Sequence, residues 1–331
     1  MEKSKQNNYR LAFKDIKNGF SEIYISGNLF YLKHISFDDQ VDIDSVYEKY
    51  LEEAKSRGVP THDQILQRLI EEKQWSQAQE RQIKSQEDFI ENLIKQKKAH
   101  YLRSEIERIN KDIEDTQQKL NDLKNVRASL FARSAESYAE ERVNDFYILK
   151  CLFKDKNFNT SAYTKEEFDE VDSETLFEII KEYNRVYKNI GDDCIQNIVL
   201  QDFFNLYMPF SENPMEFFGL PICSLSYNQV KLLIYSRFFK NVFQQHDKMP
   251  DEIKKDPDKI MDYVNANENA KKMMEKKGSK ENSAESIVGA TREDLEYIGI
   301  KKKGEKTLSL TEEAKKKGGS LSMEDMMKIF G

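Results

Sequence analysis

Leu102-Arg-Ser-Glu-Ile106-Glu-Arg-Ile109-Asn-Lys-Asp-Ile113-Glu-Asp-Thr116-Gln-Gln-Lys-Leu120-Asn-Asp-Leu123 is the stretch on which the fold turns. Its apolar residues recur at spacings of three and four, and Leu130 continues the series after jumps at Thr116 and Arg127. The rest of the stretch is polar or charged. That pattern belongs to a helix that lays one stripe against another helix. Residues 61–190 around it contain neither glycine nor proline, the main breakers of helices. The reading is one long helix from about 77 to 131, about 80 Å long at ~1.5 Å per residue. Ile83, Ile90 and Leu93 lie in a different register, interrupted by Lys95 and Lys97. Two arrangements cover such a seam: a helical hairpin within the chain, or a coiled coil with a second chain. Few apolar residues elsewhere are free to cover so long a rod. The expectation is therefore self-association through a coiled coil, with Leu102, Ile106, Ile109, Ile113, Leu120, Leu123 and Leu130 in the pairing.

Upstream, Asn18-Gly19 and Ser26-Gly27-Asn28 are turn signals. They separate Tyr9–Ile16, Phe20–Ile25 and Leu29–Ile35, which predicts a small antiparallel meander. Phe20, Glu22, Tyr24 and Ser26 fall on one side of its middle strand, Ile23 and Ile25 on the other. Helices are expected from about Ile43 to Gly58 and from Thr61, where Gln64 completes a capping box. Downstream, 21 of the 37 aromatic residues lie between Tyr138 and Phe243. Thr164…Glu167, Asn213-Pro214…Glu216 and Ser226…Gln229 mark helix starts there. After about Asn269 the chain turns Lys-, Gly- and Ser-rich, with apolar islands at 287–300, 308–314 and 321–330. Helices this short are marginal alone. They read as segments that order on a partner.

The fold expected is mainly α: a small N-terminal β meander, a long coiled-coil helix, an aromatic-rich helical domain and a flexible C-terminal tail. The domains read as 1–58, a small α+β module; 61–134, the helical segment; 135–267, an all-α domain; and 268–331, the tail with short docking helices. The 331 residues are 38% hydrophobic and 34% charged, with net charge −7. That is too polar for one compact ball and, at 11% aromatic, too aromatic for disorder throughout. No apolar run approaches a membrane span and no signal peptide opens the chain. Three scattered cysteines predict a reducing setting rather than a disulfide framework.

Catalytic signals are few. His34, His62, His100 and His246 are mutually distant, so no metal site is expected. No phosphate loop occurs, and Gly318-Gly319-Ser320 follows no strand. Cys151, Cys194 and Cys223 read as small buried hydrophobes. The carboxylate pairs Glu52-Glu53, Glu71-Glu72 and Asp192-Asp193 read as solvated faces. The basic runs of the tail lack stacking aromatics, so nucleic acid is an unfavoured partner. No catalytic residue, cofactor or metal is predicted, and the chain reads as a non-enzyme. The strongest functional signals are apolar. Met323, Met326, Met327, Ile329 and Phe330 crowd the last nine residues, with Leu295 and Ile298 in an earlier island. Methionine suits an adaptable binding face, so these residues are expected to dock a partner. The segment Asn213–Leu225 reads as a buried corner or, alternatively, a hydrophobic docking surface.

Certain stretches carry a resemblance: Leu32-Lys33-His34, Trp75…Glu80, Phe217-Phe218-Gly219-Leu-Pro-Ile, Asp256-Pro257-Asp258-Lys259 and the ending Leu321-Ser-Met-Glu-Asp-Met-Met-Lys-Ile-Phe-Gly331. Together they resemble the tail and baseplate assembly proteins of T4-like contractile-tailed bacteriophages. The resemblance implies a non-enzymatic, chaperone- or adapter-like role in tail or baseplate assembly, the C-terminal tail capturing a partner chain. The alternative is a permanent structural component of the virion built on the coiled coil. Implied partners are tail or baseplate proteins, the tape-measure protein among them, and no membrane. The implied location is the host cytoplasm during assembly, or the virion.

Overall fold

The computed structural model describes residues 2–276 and 292–297. Over these residues the chain is mainly helical with a small three-stranded antiparallel sheet, as the sequence predicts. It divides into two compact units. The first joins 1–76 to 127–257, and the second joins 77–126 to 258–331. This division cuts across the four consecutive segments expected from the sequence.

In the first unit, α1 (Glu2–Asn18) runs into β1 (Phe20–Ile25), a two-residue turn and β2 (Asn28–Lys33). The expected first strand, 9–16, is therefore a helix. Tyr9, Ala12, Phe13 and Ile16 sit at i, i+3, i+4 and i+7, and the last three are buried, which is a helical stripe and not a strand's alternation. Asn18-Gly19 ends this helix instead of turning a hairpin. Gly19 takes the left-handed φ of +75°, and its N–H donates back to the carbonyls of Asp15 and Ile16. The third strand comes from far along the chain: β3 (Leu152–Phe153) pairs with Tyr31 and Leu32 of β2. The 135–267 segment is thus not all-α.

Behind the sheet, α2 (Phe37–Ser56) lies against α6 (Ala135–Cys151). Asp39 closes the capping box of α2 on Ser36 and takes both a 2.9 Å and a 3.0 Å contact from Lys33 Nζ. Burial opposes the Asp39 charge, but the Ser36 and Lys33 donors outweigh it and hold the carboxyl below its usual range. After α3 (His62–Glu71), which opens on the predicted Thr61–Gln64 box, the unit resumes at α6. Then come α7 (Lys165–Asp169), α8 (Ser173–Asn189) and α9 (Asp192–Val199). α8 packs on β1, and α1 packs on both β1 and α9. The α11 helix (Tyr227–Gln245) follows α10 (Pro214–Phe218). The buried Gln229 of α11 donates to the Lys17 carbonyl at the end of α1. Its buried face is Leu232, Leu233, Ser236, Phe239 and Val242, while Ile234 points to solvent.

The second unit holds α4 (Gln77–Ala99), α5 (Arg103–Phe131, to residue 126), α12 (Pro257–Lys276) and α13 (Arg292–Tyr297). The single helix expected over 77–131 is broken at His100–Leu102. The change of apolar register seen in the sequence is the physical reason: one straight helix cannot turn both stripes to the same neighbour. Ile83, Ile90 and Leu93 of α4 are buried, and so are Ile106, Ile109 and Leu120 of α5. α12 ties the two together. Asp262 accepts from Lys97 of α4 and from Asn110 of α5, both at 2.9 Å. Asn269 donates to the Lys98 carbonyl at the C-terminal end of α4. Lys124 reaches Glu87 across the pair at 2.7 Å.

Candidate docking surface

Between α9 and α11 the chain makes two short 3-10 helices, Asp202–Leu206 and Met208–Glu212, and then α10. Aromatic contacts anchor this segment. Phe204 is fully buried and meets Phe13 of α1 edge-on with ring centres 5.5 Å apart. Tyr207 lies 4.9 Å from the same ring, and Phe217 touches both Phe204 and Tyr207. The backbone is held from the other side by Arg237 of α11, which donates to the carbonyls of Ser211 and Glu212. Lys240 pairs with the Glu212 carboxylate. Asn213 caps α10, Pro214 begins it, and Gly219 ends it at a left-handed φ of +71°.

On this fixed backbone five large apolar side chains face solvent: Leu206, Phe210, Met215, Leu220 and Ile222. Leu206 is 77% exposed and Ile222 60%. The sequence offers a buried corner and a docking surface for 213–225; the structure contains both. Phe217 and Leu225 are the corner, and Met215, Leu220 and Ile222 are the surface. Leu206 and Phe210, upstream, escape the sequence reading because nothing local separates an exposed Phe210 from a buried Phe204. Cys223 is exposed at the rim, not buried as the sequence reading has it. The other two thiols match that reading better. Burial pushes Cys151 up to about 12 and Cys194 up to about 11.

Two polar clusters elsewhere carry chemistry-bearing groups. In the sheet, Ser21 Oγ lies 3.0 Å from His34 Nε2, and Ser21 is also a polar neighbour of the Asp15 carboxyl, whose pKa it lowers against the larger effect of burial. The trio has the residue types of a nucleophile with its base. Ser21 is 1% and His34 4% exposed, however, so no substrate reaches them, and the trio links α1, β1 and the end of β2. Its proton order follows from His34 Nδ1, which is buried without a partner. An orphaned N–H costs more than an orphaned lone pair. His34 Nε2–H therefore donates to the Ser21 hydroxyl. The second cluster packs the rings of Tyr147, Tyr183 and Tyr187 together. Burial raises all three hydroxyls, Tyr147 to about 12. Among the described residues, no group of three His, Cys, Asp or Glu side chains is placed to hold a metal ion.

Of the expected pairing residues, Ile106, Ile109 and Leu120 are buried within the chain. Ile113, Leu123 and Leu130 are half-buried, and Leu102 falls in the break between α4 and α5. Among the expected docking residues, Leu295 lies in α13. Met323, Met326, Met327, Ile329, Phe330 and Ile298 lie outside the described residues. The α13 segment packs on its own unit. Asp294, 1% exposed, accepts from the backbone N–H and the hydroxyl of Ser104 in the first turn of α5. Tyr297 meets Tyr263 of α12 edge-on at 5.2 Å. Among the described residues no helix is long and apolar enough to cross a membrane. The chain matches no protein-family model, no curated protein and no solved structure.

Proposed function

We propose that this chain is a non-enzymatic docking protein that holds another polypeptide against the 206–222 surface during assembly of a larger particle. The observation that supports this reading is the exposure of Leu206, Phe210, Met215, Leu220 and Ile222 on a backbone locked by buried aromatics and by Arg237. Apolar groups held rigidly in water shed their hydration cost when a second surface covers them. No loop needs ordering first, so little entropy opposes association. The sequence resemblance supplies the setting: the tail or baseplate of a contractile-tailed bacteriophage, with the chain as a chaperone-like adapter and the tape-measure protein as one partner to test.

Cys223 provides the test. It sits beside Ile222 and is exposed, while the other two thiols are suppressed by burial. Maleimide labelling of Cys223 is expected to slow at least fivefold when the chain meets its partner in a lysate of the source cell. Phe210→Asp with Ile222→Asp is expected to restore the free rate and release the partner. Both side chains are exposed, so the thermal midpoint should hardly move. Equal labelling rates with and without captured partner would refute the surface. Presence of the chain in purified particles would make it a permanent component and not an adapter.

A further inference from the structure

The sheet order β1-β2-β3 leaves β1 at one margin. Its register settles which backbone groups are used. Ile25 pairs with Asn28 across a two-residue turn, and the His34 N–H donates to the Gly19 carbonyl at the other end. Odd-numbered residues of β1 therefore exchange hydrogen bonds with β2. Phe20, Glu22 and Tyr24 direct their N–H and C=O groups away from it. Among the described residues nothing bonds these six groups. The next even residue, Ser26, is satisfied: its N–H donates to the Glu178 carboxylate of α8 at 2.7 Å. Tyr24 is 63% exposed, whereas Ser21, Ile23 and Ile25 on the opposite face are each 1% exposed.

From this edge we infer a second interaction surface, separate from 206–222: β1 accepts an extended segment of another polypeptide as a fourth strand. The partner carries a lysine or arginine opposite Glu22, on the same side as Phe20 and Tyr24, and apolar residues on the alternate side. Backbone pairing supplies affinity and the alternating side chains supply selectivity. Charge decides the partner. The Glu22 side chain is 46% exposed, and Lys14, its ion-pair partner, stands 3.9 Å away. A cation on the added strand would sit directly across from it, where opposite charges stabilise and like charges destabilise. The same rule disfavours a second copy of this chain. The antiparallel register that uses all three free positions sets Glu22 against Glu22. That is how natural edges are kept from self-pairing.

The probes are a blocked (Val-Lys)3 peptide and its (Val-Glu)3 counterpart, added to the full chain. The readout is amide hydrogen exchange along β1. In the free chain the Phe20, Glu22 and Tyr24 amides are expected to exchange at least tenfold faster than those of Ser21, Ile23 and Ile25. Saturating lysine peptide is expected to slow the three free amides at least tenfold, and the glutamate peptide is not. Glu22→Lys should reverse that preference. Tyr24→Pro removes an outward N–H and leaves the β1–β2 ladder intact, so it should abolish the effect while Ser21, Ile23 and Ile25 stay protected. That continued protection shows that the variant has folded. No slowing at millimolar lysine peptide, or slowing indifferent to peptide charge, would overturn the inference. So would protection that rises with chain concentration alone, which would assign the edge to a second copy. The readout is confined to β1, so it stands or falls independently of docking at 206–222.

Discussion

At His34 a single side chain sets an acid limit on the first unit. Burial lowers its pKa from 6.5 to about 4. Between those values the unfolded chain binds a proton that the folded chain refuses. Stability is therefore full above pH 6.5 and is lost as pH falls toward 4, by about 2 kcal/mol between pH 7 and 5. Asp15 acts with the opposite sign. Burial raises its pKa above the usual carboxylate value, so its contribution is full in acid and is lost as pH rises through its folded value. Urea midpoints at pH 7 and pH 5 are expected to differ more in the natural chain than in His34→Gln; equal differences would place the acid sensitivity elsewhere. None of this was legible in the sequence. His34 follows a lysine between Leu32 and Ile35, and nothing local marks it as the partner of Ser21 on the neighbouring strand.

The elements divide by how local their signals are. The boxes at Thr61, Thr164 and Ser226 and the Asn213-Pro214 start appear where the sequence places them, because a cap involves four consecutive residues. The first helix escapes the sequence reading because Asn-Gly serves equally as a hairpin turn and a helix stop; the spacing of Tyr9, Ala12, Phe13 and Ile16 is the better guide. The seam on α5 was legible, but its tie to α12 through Asn110 and Asp262 was not, since α12 lies well over a hundred residues further on. The most distant cap is Asp294 on Ser104. Asp294→Ala is expected to cost about 1–2 kcal/mol and to speed amide exchange in the first turn of α5. Asp294→Asn, which keeps an acceptor, is expected to cost less. Unchanged exchange at residues 103–106 would show that the carboxylate does not hold that helix end. The five exposed side chains of the docking surface were half legible. Segment 213–225 stood out by its Pro, Gly and aromatic content, whereas Leu206 and Phe210 owe their exposure to the tertiary placement of Phe204.

The molecule as a whole has discontinuous units. The sheet joins residues 20–33 to residues 152–153, so no N-terminal piece contains it. In a chain ending at residue 126, the Ser21, Ile23 and Ile25 amides are expected to lose their protection. In a chain ending at residue 257 they are expected to keep it, because β3, α8 and α11 are then present. Protection in the shorter chain would show that α1 alone supports the hairpin. The same join has a consequence on the ribosome. Elongation at about 5–20 residues per second puts roughly 6–25 s between synthesis of β2 and synthesis of β3. Through that interval the nascent hairpin has two bare margins instead of one. The Gly- and Pro-free helical segments made in the meantime can form locally within microseconds. Translation thus delivers α2 to α6 before the sheet can close and α7 to α13 after it, so the tempo of synthesis between residues 33 and 153 sets how long the second margin stays open.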